Sequence, residues 1–301
     1  MNFIVYFISY PILWCLSMLP LRVLYVFSDF LFYVLYYLIG YRKTVVKDNL
    51  RKAFPEKSNE EIDRLCKKFF RHFLDIMMES VKSLTISKKE IAKRYRFKNP
   101  ELVNNLAAEG RSIALVGAHQ ANWEWFFSIP LALDPPVYAS YTKLANPYFD
   151  KVVKNMRSRF GVITVKSEDT VKTMFKNYKA NKTGLYLLLS DQSPMLLRAT
   201  YWTEFFGIKV PVHTGAATLS KKFNFAVVNY SVEKVKRGYY EAELTLITDE
   251  PKSYQNFDVI DEYLRLTEMA IRKQPGYYLW SHKRFKHEHS YDEWLAHQKK
   301  S

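Results

Sequence analysis

Residues 112–130 read S-I-A-L-V-G-A-H-Q-A-N-W-E-W-F-F-S-I-P. Ile113–Val116 is an apolar run long enough for a buried strand, and Gly117 breaks it. His119 falls in the turn. Asn122 is a preferred N-cap residue before Trp123, Glu124 and a further apolar stretch. The reading is strand, short loop, helix, with His119 in the loop and Glu124 in the first helical turn.

On one continuous helix, five residues would set the two side chains about 140° apart. A loop between them lets the carboxylate turn back towards the imidazole. A His–carboxylate pair at a strand's carboxyl end makes a general base, because the carboxylate fixes the ring tautomer and stabilises the imidazolium. The same spacing also fits a structural His and a Glu that favours the helix dipole.

Further along the chain, Val137–Tyr141 is a strand. Asn146 and Pro147 open a helix that Gly161 closes. Arg157 and Arg159 lie near its end, where they suit either the dipole or a phosphate. They point about 160° apart, so they should do different jobs. Arg159, nearer the loop, is the expected substrate contact. Strands at 161–166 and 184–190 flank a helix around 168–179. The second of these strands delivers Asp191 and Gln192 at its carboxyl end, where ligands bind in open α/β sheets. Phe205 and Phe206 suit an acyl groove or plain core. Two β-rich segments and a helix over 258–273 follow.

Before the central stretch, Ser58 and Glu61 form a capping box that opens a long helix. Its apolar face carries Ile62, Leu65, Phe69, Phe73, Ile76 and Met77. Asn99 and Pro100 open a helix over 100–109. Residues 3–21 carry no charge, and 23–41 are apolar apart from Asp29. Each half is near the length of one bilayer crossing. Residues 1–41 are therefore expected to be a retained membrane anchor, one span or a re-entrant hairpin, and residues 42–301 the working domain. Arg42, Lys43, Lys47, Arg51 and Lys52 follow at once, which sets the body on the cytoplasmic side.

The chain of 301 residues has a net charge of +15 and is 48% hydrophobic. That is enough for one large domain with an apolar groove. The charge calls for an acidic partner, and the apolar N-terminus favours a membrane over nucleic acid. Neither a Gly-rich phosphate loop nor a G-x-S-x-G elbow occurs. Cys15 and Cys66 form no metal spacing, and His282, His287 and His289 form no H-E-x-x-H, so no metal is expected.

Gly117, His119, Asn122, Trp123 and Glu124 resemble the first motif of the bacterial lipid A late acyltransferases, within the glycerolipid acyltransferase superfamily. Ala121 stands where that family often has Gly. The resemblance continues in 41–56, in N-P-x9-R-x-R (146–159), in Asp191-Gln192, in the F-F-G and T-G pieces of 201–215, and in Q-P-G-Y-Y-L-W-S-H-K-R-F-K (274–286), beyond which a mobile basic tail is expected. It implies an α/β fold with a mixed, mostly parallel sheet flanked by helices. It implies His119 and Glu124 as catalytic pair, and Asn122, Arg157, Arg159, Asp191 and Gln192 as substrate-binding residues. It also implies acyl carrier protein, or acyl-CoA, as donor, a lipid A precursor as acceptor, no cofactor, and a place on the inner membrane. The alternatives are an O-acyltransferase for a lysophospholipid or amino-acid lipid, and a non-catalytic lipid-binding protein at the membrane.

Overall fold

The computed structural model describes residues 2–255 and 257–298. A seven-stranded sheet forms the centre. Its strands are β1 (Tyr95–Phe97), β2 (Ile113–Gly117), β3 (Val137–Tyr141), β4 (Ile163–Lys166), β5 (Leu185–Leu187), β8 (Ala226–Lys236) and β9 (Tyr239–Thr248). The spatial order is β1-β9-β8-β2-β5-β3-β4. All neighbours are parallel except β8 and β9, a long antiparallel hairpin. The mixed, mostly parallel sheet expected from the sequence is present. β6 (Tyr201–Phe205) and β7 (Ile208–Val212) form a separate hairpin. Its turn residues, Phe206 and Gly207, both have positive φ, as a two-residue hairpin loop demands. Phe205 and Phe206 are buried in the core.

β2 lies in the middle of the sheet, and all five of its residues are buried. Packing helices on both faces explains its continuous apolar run. Its last residue must be Gly, because a Cβ at Gly117 would come within 2.2 Å of the Tyr230 ring. β5 is shorter than the apolar run 184–190 suggests. The chain leaves the sheet after Leu187 and carries Asp191 across to the end of β2.

The helices are α1 (Asn2–Met18), α2 (Leu21–Tyr33), α3 (Lys43–Ala53), α4 (Asn59–Lys82), α5 (Lys88–Arg94), α6 (Glu101–Ala108), α7 (Pro147–Ser158), α8 (Thr170–Lys179), α9 (Gly215–Phe223), α10 (Asp258–Lys273) and α11 (Tyr291–Gln298). Both bonds of the capping box open α4. Asn146 caps α7 as expected, accepting from the N–H groups of Tyr148 and Phe149. Asn99 does not cap α6. Its side chain pairs with the backbone of Leu244 on β9 instead. The expected mobile tail is a helix as far as Gln298. Trp294 of α11 donates to the Ala199 carbonyl and its ring packs beside Trp202. The final three residues of that tail lie outside the described residues.

α2 continues through a π-helical turn, Val34–Ile39, and Leu21–Ile39 is long and apolar enough to cross a membrane. It is also built into the body. Leu24, Phe32 and Tyr36 are buried in the two core clusters. The opposite face exposes Val26 (68%), Phe30 (65%) and Leu38 (81%).

Candidate active site

His119 leaves the end of β2 and Asp191 leaves the end of β5, and adjacent parallel strands bring them together. The ring Nδ1 lies 2.8 Å from Asp191 Oδ1. The backbone N–H of His119 donates to Oδ2 of the same carboxylate at 3.1 Å. The carboxylate that fixes the imidazole is therefore Asp191, and not Glu124 as the five-residue spacing suggests. Glu124 does not start a full α-helix that could turn it back. It precedes a 3-10 helix, Trp125–Leu131, which contains Pro130. Its carboxylate instead receives Arg157, with Nη2 to Oε1 at 2.7 Å and Nε to Oε2 at 3.3 Å.

Asp191 is 1% exposed, and burial alone would raise its pKa. The charge and hydrogen bonds of His119, with the nearby Arg284 cation, outweigh burial and hold it below the ordinary value. Burial likewise works against a charged His119, but the charge and hydrogen bond of Asp191 win. Glu124 adds a smaller pull in the same direction, and the imidazole's pKa lies above its usual value. The pair thus favours imidazolium with carboxylate.

A cavity of about 850 Å³ opens over this pair. His119, Glu124 and Arg157 line it with Trp123, Phe127 and His213. The Trp123 ring stands edge-on to His119, with centroids 5.7 Å apart. Of the residues expected to bind substrate, only Arg157 reaches the cavity. Asp191 is buried behind His119. Asn122 is fully buried and structural: its Oδ1 accepts from Trp125 N–H, and its Nδ2 donates to Glu79 at 2.6 Å. Gln192 is half-buried and is not among the lining side chains. Arg159 lies on another face of α7, donates to the Ser83 carbonyl and lines a separate cavity beside α1. Of the two arginines, α7 turns Arg157 and not Arg159 towards His119 at the carboxyl edge of the sheet.

The loop carrying His119 is clamped by the closing segment 274–286. Leu279 N–H donates to the His119 carbonyl, and Ala121 N–H donates to the Tyr277 carbonyl. Ala121 has φ +51°. This is the left-handed region where glycine is at home, which accounts for the Gly often found there in the family. Behind the loop, three buried polar side chains of α4 form one row. His72 touches the Ala121 carbonyl. Asp75 accepts from Ser28, Lys234 and Arg237. Glu79 accepts from Tyr25, Asn122 and Tyr240. Sequence reading missed this row. Its signal was polar residues at i, i+3 and i+7 on an otherwise apolar helix face.

A histidine held by a buried carboxylate, at the strand ends of an α/β sheet and under a partly apolar cavity, is an arrangement suited to general-base chemistry. Residues 2–287 match the family model for bacterial lipid A biosynthesis acyltransferase, and the chain belongs to that family. It is 23% identical to the lipid A biosynthesis acyltransferase of Haemophilus influenzae over 79% of this chain and 74% of that protein. It is 21% identical to the lipid A biosynthesis palmitoleoyltransferase of Escherichia coli K12, over 81% and 79%. It is 23% identical to the lipid A biosynthesis lauroyltransferase of the same organism, over 91% and 89%. The protein is an acyltransferase of lipid A biosynthesis.

Proposed function

We propose that this enzyme moves a fatty acyl chain from acyl carrier protein to a hydroxyl of a lipid A precursor, on the cytoplasmic face of the inner membrane. The observation that carries the chemistry is the His119–Asp191 pair at the base of the cavity. Nδ1–H donates to Asp191, so Nε2 is the basic nitrogen. It takes the acceptor hydroxyl's proton as the oxygen attacks the thioester carbonyl carbon. The C–S bond then breaks, and the imidazolium returns the proton to the departing thiolate. Asp191 holds the ring and balances its charge throughout. Glu124, held by Arg157, supplies a second negative charge across the cavity that further favours the imidazolium. No cofactor takes part. An acidic carrier protein suits a chain of net charge +15, because complementary charge speeds the encounter.

The test is mass spectrometry of lipids from cells with and without the gene, complemented by wild-type or His119→Ala protein. The wild type should add one acyl chain to a lipid A precursor, and the variant none, with normal abundance in membranes. Purified enzyme should use acyl carrier protein thioester in preference to acyl-CoA. A wild-type lipid profile from His119→Ala would overturn the mechanism. Acylation confined to a lysophospholipid would replace the acceptor.

A further inference from the structure

A second polar cavity, of about 530 Å³, opens behind the catalytic loop. Arg64, Lys67, Lys68 and Arg71 from α4 line it, with Lys234 and Arg237 from the β8–β9 hairpin. Its two carboxylates are already engaged. Arg237 pairs with both Asp29 and Asp75, and Lys234 pairs with Asp75. The four α4 cations stand in excess of them. Lys68 lies over the Tyr277 ring and Arg71 over the Phe32 ring. Like charges spaced along one helix face destabilise it, and a phosphate with paired acceptors relieves that repulsion. Asp29 and Phe32 belong to α2, whose outer face exposes Val26 and Phe30. The cavity thus opens beside a surface suited to a bilayer.

Its inner wall touches the catalytic loop at two points. His72 is 2% exposed. Its Nδ1 is 3.1 Å from Lys234 Nζ. An ammonium only donates, so Nδ1 accepts, and Nε2–H is left to donate to the Ala121 carbonyl at 3.2 Å. Tyr277, which also lines the cavity, accepts the Ala121 N–H at 2.8 Å. Both polar groups of Ala121 are therefore held by residues of this cavity, two positions from His119 and at a strained φ.

The geometry points to a site for the phosphate-bearing headgroup of an anionic membrane lipid, occupied separately from the acyl acceptor. A phosphate here engages the α4 cations and Lys234, and its occupancy is felt by the loop through His72 and Tyr277. The inference rests on the membrane-seated reading above, and its test does not require acyl transfer.

The full chain, labelled with 15N-histidine, is placed in bilayer nanodiscs of phosphatidylcholine with increasing phosphatidylglycerol. The His72 ring signals, assigned by His72→Gln, should shift saturably with phosphatidylglycerol. The double variant Lys67→Gln/Arg71→Gln should need on the order of tenfold more of it. The charge-keeping variant Lys67→Arg/Arg71→Lys should bind as the wild type does, which separates lost charge from lost fold. Equal affinity in the neutralised variant overturns the site. Soluble glycerol phosphate binding as tightly as the lipid overturns its membrane source. A variant that loses acyl carrier protein binding but keeps the lipid response would make this a protein-docking face and overturn the proposal. A lipid response in a protein that shows no acyl transfer would sink the catalytic reading alone.

Discussion

At His119 two opposing influences meet. Burial disfavours the charged ring, while Asp191 favours it, and Asp191 prevails. Removing that carboxylate's charge should reverse the balance. In Asp191→Asn the pH at which activity rises with deprotonation of His119 should move down, because burial is then no longer outweighed. The rate at the plateau should fall by about 10²–10⁴, since an amide that donates to Nδ1 stabilises the wrong tautomer. A pH–rate profile of kcat/KM checks both effects, and an unmoved inflection would remove Asp191 from its orienting role. The sequence made His119 and Asp191 legible as residues at strand ends but not as partners. Their separation of 72 residues becomes a contact only through the adjacency of β2 and β5, and no local spacing encodes that adjacency. Glu124 looked like the partner because it was near in sequence. A 3-10 turn with Pro130 in it sends that carboxylate to Arg157 instead.

Among the elements, α7 separates two jobs by its faces. Arg157 grips Glu124 with two nitrogens over the catalytic cavity, and Arg159 closes on the Ser83 carbonyl. Arg157→Lys should therefore lower kcat/KM by on the order of tenfold or more with little change in melting temperature, because an ammonium cannot reproduce the paired geometry. Arg159→Lys should retain near wild-type activity. Kinetics and thermal melts of the two variants side by side decide it, and equal losses would argue against the division. α4 gives a different kind of test. Glu79 is fully buried, and burial pushes its carboxyl up from 4.5 to about 7 despite hydrogen bonds from Tyr25 and Tyr240. The folded state then holds a proton that the unfolded state has already released. The contribution of Glu79 to stability should fall as pH rises from ~4.5 to ~7, by on the order of 3 kcal/mol, and flatten above. Glu79→Gln should lose that downward contribution, read as the difference between the two proteins' melting temperatures in detergent at a series of pH values. His72 and His282, whose pKa values burial lowers, contribute the opposite slope to both proteins, so a pH slope left unchanged by Glu79→Gln would show the carboxylate to be ionised in the fold. The capping residues and apolar face of α4 were plain in the sequence. The polar row was not, because a buried His, Asp and Glu declare themselves only once β8, β9 and α2 are packed against them.

For the whole molecule, the N-terminal helices face two ways, and the two faces are separable. Outwardly α2 presents Val26, Phe30 and Leu38, more apolar surface than a water-facing helix tolerates. Inwardly it buries Leu21, Leu24, Tyr25, Phe32 and Tyr36. At roughly 2 kcal/mol for each such side chain, this inner face is worth on the order of 10 kcal/mol. That is comparable to the entire stability of an ordinary domain. Its polar contacts add to this, since Tyr25 and Ser28 hold the α4 row at Glu79 and Asp75. Hydropathy alone suggested an anchor over residues 1–41 but left open whether its deletion would release the chain or leave it aggregation-prone, because an apolar run reads the same whether lipid or protein covers it. With both faces on view, two different losses are predicted. Deleting residues 2–40 should leave a chain that aggregates and shows no cooperative melt, with or without detergent. Val26→Ser/Phe30→Ser should keep a cooperative melt in detergent and the wild-type circular dichroism, yet become extractable from membranes by salt. Sedimentation after salt washing, with melts of the solubilised proteins, measures both. A truncated chain that is monodisperse and melts like the full one would show that α2 is an appendage of the fold rather than a part of its core.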